Sequence, residues 1–214
     1  MHRYILFTDE AQFNRDGVNN THNSRVWADE KPHTTVESNF QLRFSVNVRC
    51  AVLDDQLIGP FILEARLTGE VYLRFLQELP QPLEDVPLNK RGRMYFQHDG
   101  APPHSSHEVR NFLNYRFPGQ WIGRGGPHNW PVRFPGLSPL DYCVWGWMKE
   151  LVYSVKVVTG DALLGRIFDA ADRIRNGQRK LQRATRAVHN RAAACVAAGG
   201  GIFENQLQAQ INSN

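Results

Sequence analysis

Short apolar runs recur through the first part of the chain, a pattern typical of β-strands buried in a sheet. The runs cover residues 4–8, 42–53, 57–63 and 94–98, with a shorter one at 120–123. Asp54, Asp55 and Gln56 separate the second run from the third and predict a hairpin turn. These runs therefore predict a β-sheet.

Helical spacing of apolar residues takes over later in the chain. Residues 161–176 and 178–198 are each predicted to form a helix, and Gly199 ends the second one. Shorter helices are expected at 68–79, capped by Thr68, and from Ser105 or Ser106 to about residue 118. A helix opened by Asp141 has an inward stripe predicted at Leu140, Val144, Trp147 and Leu151. The pattern predicts an α/β fold in which helices pack on a sheet.

Three aspartates stand at the ends of these predicted elements. Asp9 and Asp99 each follow an apolar run, and Asp141 opens a helix. If the two runs are neighbouring strands, their ends present two carboxylates side by side, to which the helix could add a third. Three carboxylates in one cleft suit two Mg²⁺ or Mn²⁺ ions, which prefer oxygen ligands. Such a pair of ions favours in-line displacement at phosphorus.

Structural roles also explain these aspartates one at a time. Asp99 is followed by Gly100, and this dipeptide is common in turns. Asp141 lies three residues after Ser138, which with Pro139 predicts a helix N-terminus, where an acid complements the helix dipole. These roles do not explain why all three acids stand at element ends.

Three segments around these acids resemble the catalytic blocks of mariner-type transposases, in the same order. They are 7–13 (Phe-Thr-Asp-Glu-Ala-Gln-Phe), 97–104 (Gln-His-Asp-Gly-Ala-Pro-Pro-His) and 138–142 (Ser-Pro-Leu-Asp-Tyr). The stretch 116–127 is similar to insect mariner-like copies, and the resemblance extends from about residue 4 to residue 203. Between Asp99 and Asp141 lie 41 residues, a spacing within the range of the family.

The resemblance implies an RNase H-like fold, a mixed sheet flanked by helices, with a catalytic metal site at Asp9, Asp99 and Asp141. With two Mg²⁺ or Mn²⁺ ions, Asp9 would bridge both and the other two acids would each complete one. Attack by water would nick DNA, and attack by a DNA 3′-hydroxyl would transfer a strand. The implied function is that of a transposase-derived DNA nuclease and strand transferase in the nucleus, without a small-molecule cofactor.

Three features depart from the family pattern. The sequence opens at the first predicted strand, without the region by which mariner relatives recognise transposon ends, so we expect a truncated protein that lacks specific end binding. Gly136 stands where the family motif has an aspartate, and Arg49 interrupts an otherwise apolar strand. These departures favour a second hypothesis, a catalytically inactive remnant that binds DNA or dimerises.

Positive charge is concentrated near the C-terminus. The chain has a net charge of +4, and residues 173–191 contain seven basic residues and no acid. A solvated helix face would explain this run, but it also predicts salt-dependent, non-specific DNA binding. The candidate DNA-binding residues are Arg175, Arg179, Lys180, Arg183 and Arg186, to which the resemblance adds His104.

The 214 residues are expected to form one domain. Residues 1–155 are its catalytic core, and 156–214 are a C-terminal helical extension. Within the core, 14–39 is polar and without periodicity, which predicts a long loop, and the resemblance implies a clamp through which two copies form a homodimer. Three cysteines without a CxxC pair indicate neither a disulfide framework nor a zinc site. No apolar stretch reaches the length of a membrane span, so we expect a soluble intracellular protein with no membrane partner.

Histidines offer an alternative, because a cluster of His98, His104 and His107 around Asp99 could bind zinc or iron in a hydrolase. Side chains alternate along a strand, so His98 should point to the opposite side from Asp99. The three-carboxylate site is therefore the favoured hypothesis.

Overall fold

A computed structural model of the chain describes residues 2–15, 17, 44–63, 67–131, 134–201 and 203. The predicted clamp at 14–39 falls almost wholly outside the described residues. Its loop conformation and its role in a homodimer therefore stay predictions.

The described ranges contain five strands and six α-helices. The strands are β1 (Ile5–Asn14), β2 (Ser45–Leu53), β3 (Gln56–Leu63), β4 (Tyr95–Gln97) and β5 (Trp121–Ile122). The α-helices are α1 (Gly69–Glu78), α2 (Leu88–Arg91), α3 (His107–Arg116), α4 (Trp145–Val152), α5 (Gly160–Arg175) and α6 (Gln178–Ala197). Single 3₁₀ turns occur at His2–Tyr4, Gln81–Leu83, Pro102–Ser105 and Pro135–Leu137, and a π-helical segment, Leu140–Val144, leads into α4.

The strands form one mixed sheet in the order β3-β2-β1-β4-β5. β2 and β3 form the predicted antiparallel hairpin, and β1 is antiparallel to β2. β4 and β5 run parallel to β1. The prediction that the first strand ends at Asp9 is wrong. The strand continues to Asn14, because the residues after Asp9 keep their pairing with β2 as far as Ser45.

Helices cover both faces of the sheet, because the strand side chains alternate between two apolar clusters. Phe7 and Phe13 of β1 pack with α4, α5 and α6 on one face. Leu6, from the same strand, packs with α1 and α3 on the other. The predicted α/β arrangement of helices on a sheet is confirmed.

Two helix starts follow the predicted capping chemistry. The Thr68 hydroxyl accepts a hydrogen bond from the Val71 N–H, and the Ser106 hydroxyl accepts one from the Val109 N–H, each at 3.3 Å. Each cap satisfies a backbone donor that the first helical turn leaves unpaired. Among the described residues, no helix combines the length and apolar character needed to cross a membrane.

Candidate active site

The register between β1 and β4 brings Asp9 alongside Asp99. The two strands are parallel, and Phe7 lies opposite Gln97. Asp9 and Asp99 each come two residues after this pair, so they follow it on the same side. β4 ends at Gln97, whereas β1 continues to Asn14. At Asp9, β1 therefore no longer has β4 as a paired neighbour. Side chains alternate along β1, so Asp9 shares the face of Phe7 and points towards α4.

Asp9 is held by a residue that the sequence motifs did not single out. The Trp145 indole Nε1 donates a hydrogen bond of 2.7 Å to Asp9 Oδ2. Burial, followed by the negative charge of Asp141, raises the pKa of Asp9 to about 7; Asp99 adds to this, while Trp145 and Arg49 oppose it. The three carboxylates therefore lie within electrostatic range of one another, and no neighbouring cation fully compensates them.

Asp141 lies in the π-helical segment, where the Trp145 N–H bonds to the Leu140 carbonyl five residues earlier. π-Turns are rare and are frequently found at functional sites. Burial raises the pKa of Asp141 to about 6, with the Ser138 hydroxyl opposing and the charge of Asp99 adding to the shift. As predicted, Ser138 stands at the start of the helix and Pro139 follows at the first helical position: the Ser138 backbone is extended, Pro139 has helical dihedrals, and the Ser138 carbonyl accepts a bond of 3.1 Å from the Tyr142 N–H.

The π-turn also changes which residues face the sheet. Leu140 and Val144 are buried as predicted. Further along, Met148 and Val152 are fully buried, whereas the predicted Trp147 and Leu151 are only partly buried against the same core. One extra residue in the turn rotates everything after it by about 100°, since an α-helix has 3.6 residues per turn. The same rotation turns Trp145 towards Asp9.

Asp99 is the acid with local partners. His104 Nδ1 lies 2.5 Å from Asp99 Oδ1, to which the Ala101 N–H donates a hydrogen bond of 3.0 Å. Burial alone would raise the pKa of Asp99, but the His104 ring and the Ala101 N–H stabilise the carboxylate and lower it. Asp99 is therefore ionised and oriented.

The donor chemistry of these acids fits a hard divalent cation. All three offer carboxylate oxygens, the ligands that Mg²⁺ and Mn²⁺ prefer. Burial raises the pKa of Asp9 and of Asp141, and the charges of the neighbouring acids add to the shift. Within the described ranges, no group of three or more His, Cys, Asp or Glu side chains is close enough to hold a metal ion. The three acids thus influence one another electrostatically but do not form a ready metal-binding group among the described residues.

The two histidines nearest Asp99 are both buried, at 1% exposure. His98 points away from Asp99 and contacts the Tyr72 hydroxyl at 2.9 Å through Nδ1. His104 contacts Asp99, and its Nε2 lies 3.2 Å from Glu10 Oε1. The expected contact of His104 with DNA is not supported, because its ring is enclosed by protein.

The predicted DNA-binding residues are exposed on α5 and α6: Arg175, Arg179, Lys180, Arg183 and Arg186. Two of them also make contacts within the protein. Arg175 bonds to the Gly59 carbonyl and pairs with Asp172, and the Lys180 ammonium lies 3.9 Å above the Trp147 ring. Trp147 belongs to α4, which follows directly on the segment that carries Asp141.

Arg191, a further basic residue of α6, contacts the loop before Asp141. Its Nε donates to the Gly136 carbonyl, and its guanidinium lies 4.1 Å from the centre of the Tyr142 ring. Gly136, which stands where the family motif has an aspartate, is therefore bound to α6 through its backbone carbonyl.

Solved structures of the Mos1 mariner transposase share this architecture. A Mos1 paired-end complex with the left transposon end has a TM-score of 0.70 and 20% sequence identity, over 95% of this chain and 57% of the Mos1 chain. The Mos1 catalytic domain with raltegravir and Mn has the same TM-score with 18% identity, over 95% of this chain and 86% of that one. The fold is that of the Mos1 catalytic domain.

That domain is RNase H-like, so the predicted fold class is confirmed. The chain spans just over half the length of the Mos1 protein in the paired-end complex. No protein-family model matches the sequence, and no curated protein matches it.

Replacing Trp145 with phenylalanine tests the bond to Asp9. The pKa of Asp9 lies above its unfolded value, so ionising Asp9 costs stability as the pH rises from about 4 to about 7. Trp145 stabilises the ionised form, so Trp145→Phe should lower the free energy of unfolding by about 1–2 kcal/mol more at pH 8 than at pH 5. Urea unfolding at both pH values measures the difference.

Trp147→Phe is the matched control, since Trp147 lies next to Lys180 rather than a carboxylate. Its cost should be the same at the two pH values. An equal pH dependence for both variants would contradict the role given to Trp145.

Proposed function

We propose that the chain is the catalytic domain of a mariner-type transposase that cuts and joins DNA with two divalent metal ions. The observation that carries the proposal is the placement of the three acids. The β1–β4 register sets Asp9 beside Asp99, and the charge of Asp141 reaches Asp9 from the helical side. A buried structural acid would be expected beside a cation, not beside two further acids.

Asp9, Asp99 and Asp141 would hold the ions through their carboxylate oxygens. Two Mg²⁺ or Mn²⁺ ions, when bound, supply an activated water or 3′-hydroxyl and neutralise charge on the leaving oxygen. Trp145 would fix the Asp9 carboxylate during this reaction, because its bond reaches only Oδ2.

DNA is the proposed substrate. The Mos1 structures include a complex with a transposon end, and the exposed basic residues of α5 and α6 offer a sequence-independent contact to phosphates. A nuclear location and a homodimer through the clamp loop belong to the same proposal.

One observation favours an inactive remnant as a second candidate. Among the described residues the acids do not form a group ready to hold a metal. In a remnant the carboxylates would keep this separation when metal is added, whereas in an active enzyme the metal would draw them together.

A plasmid-nicking assay separates the two candidates. Supercoiled DNA is incubated with the protein and increasing Mn²⁺, and the nicked form is quantified on a gel. We expect slow nicking without sequence preference, because metal binding and phosphodiester positioning need only the catalytic core. Saturation with Mn²⁺ should coincide with the rise in melting temperature that bound metal produces.

Both signals decide the outcome. Nicking that saturates together with the thermal shift supports the enzyme. A protein with neither signal is the remnant, and a thermal shift without nicking shows an assembled metal site that does not turn over.

A further inference from the structure

Arg49 is a buried charge in the middle of the sheet. It lies on β2, the residue has 0% exposure, and its guanidinium faces α1. Burying a guanidinium is costly unless it is paired and hydrogen-bonded. In the sequence Arg49 looked like a defect in an apolar strand, but the structure surrounds it with partners.

Those partners come from β1 and α1. Arg49 Nη1 forms an ion pair with Glu10, and Nη2 donates to Thr8 Oγ1 at 2.5 Å and to the Tyr72 hydroxyl at 3.0 Å. The guanidinium also lies over two rings, 4.5 Å from the centre of Tyr72 and 4.7 Å from that of Phe75. This set of contacts holds the planar group in one orientation.

Two chains of contacts lead from Arg49 to the candidate active site. Through Glu10, the first reaches His104 at 3.2 Å and then Asp99 at 2.5 Å. The second passes through Thr8, whose hydroxyl donates to the Gln97 carbonyl at 2.7 Å. Gln97 is the last residue of β4, so this bond joins β1 to β4 just where the strands lead into Asp9 and Asp99.

We propose that Arg49 is a positioning residue of the active site, which orients the Asp99 carboxylate through Glu10 and His104 and sets the separation of β1 and β4 through Thr8. Arg49 contacts neither Asp9 nor Asp99 directly, and acts from the opposite face of the sheet. The predicted effect of Arg49 on metal binding rests on the proposed function. Its predicted effect on the orientation of His104 does not.

A purely structural Arg49 predicts different results. In that case its removal would lower stability, but the folded protein would keep its His104 environment and its metal affinity. A positioning role predicts that both change while the protein is still folded. Substitutions in the shell around metal ligands typically cost 10- to 100-fold in metal affinity.

The test compares Arg49→Met with Arg93→Met. Arg93 is also an arginine that lies over a tyrosine ring and bonds to its hydroxyl, that of Tyr4, but neither contact leads to the aspartates. Mn²⁺ affinity is measured by the electron paramagnetic resonance of free Mn²⁺, at a temperature where circular dichroism shows each variant folded. The ring nitrogens of His104 are followed by nuclear magnetic resonance in the metal-free protein, with His104→Asn giving the assignment.

We expect Arg49→Met to weaken Mn²⁺ binding by about tenfold or more and to shift the His104 Nδ1 resonance, while Arg93→Met changes neither. If Arg49→Met does not fold, Arg49→Lys serves in its place, since it keeps the charge without the planar fork. Native Mn²⁺ affinity and a native His104 resonance in a folded Arg49 variant would overturn the proposal. If the unmodified protein binds no Mn²⁺, the proposed function fails, and the His104 resonance alone decides the role of Arg49.

Discussion

Asp9→Asn is expected to abolish Mn²⁺-dependent nicking and, at the same time, to stabilise the metal-free protein. The amide removes one of the three neighbouring negative charges, so two cations close together would lack anionic compensation. In the absence of metal that same charge is unfavourable, since burial and Asp141 raise the pKa of Asp9 to about 7. At pH 8 the free energy of unfolding should rise by about 1–2 kcal/mol.

Plasmid nicking and urea unfolding measure the two effects. Asp169→Asn is the control, because Asp169 is an exposed acid on α5 outside the site. It should leave nicking and stability close to native. Nicking that survives in Asp9→Asn would show that another site or a contaminating nuclease cuts the DNA, and a loss of stability would contradict the charge clustering around Asp9.

Features coded locally could be predicted from the sequence. The β2–β3 hairpin follows from two apolar runs around a polar turn, and α1 begins at Thr68 because a hydroxyl there satisfies a backbone donor of the first turn. The meeting of Asp9 and Asp99 is less local. β4 has only three residues, and its parallel register with β1 depends on packing across the sheet. The family resemblance supplied that pairing when strand patterns alone could not.

Trp145 and Arg49 show why the rest was not predictable. Trp145 faces Asp9 only because a π-turn adds one residue before it, and apolar spacing does not encode that insertion. Arg49 is a compensated buried charge only with its partners from β1 and α1, which are distant in sequence. Taken alone, each residue resembled an ordinary core position or a defect.

Substituting the five basic residues of α5 and α6 by alanine should remove most of the affinity for DNA. The residues are Arg175, Arg179, Lys180, Arg183 and Arg186, all exposed. Non-specific affinity arises from counterions released as phosphates are neutralised, so the logarithmic salt dependence should become shallower by about 0.9 for each phosphate that the variant no longer neutralises. Fluorescence anisotropy with a random-sequence duplex at several salt concentrations measures both quantities.

A three-residue comparison separates DNA contact from protein stability. Arg175 and Lys180 also contact Gly59 and Trp147, so their loss could disturb packing. The test variant therefore changes only Arg179, Arg183 and Arg186, and the control removes equal charge elsewhere at the exposed Arg93, Arg116 and Lys156. If α6 tracks the DNA backbone, the α6 variant should lose far more affinity and more of the salt dependence than the control. Equal losses of affinity in the two variants would mean that net charge alone drives binding. A DNA affinity that does not change with salt concentration would exclude phosphate contact by these residues.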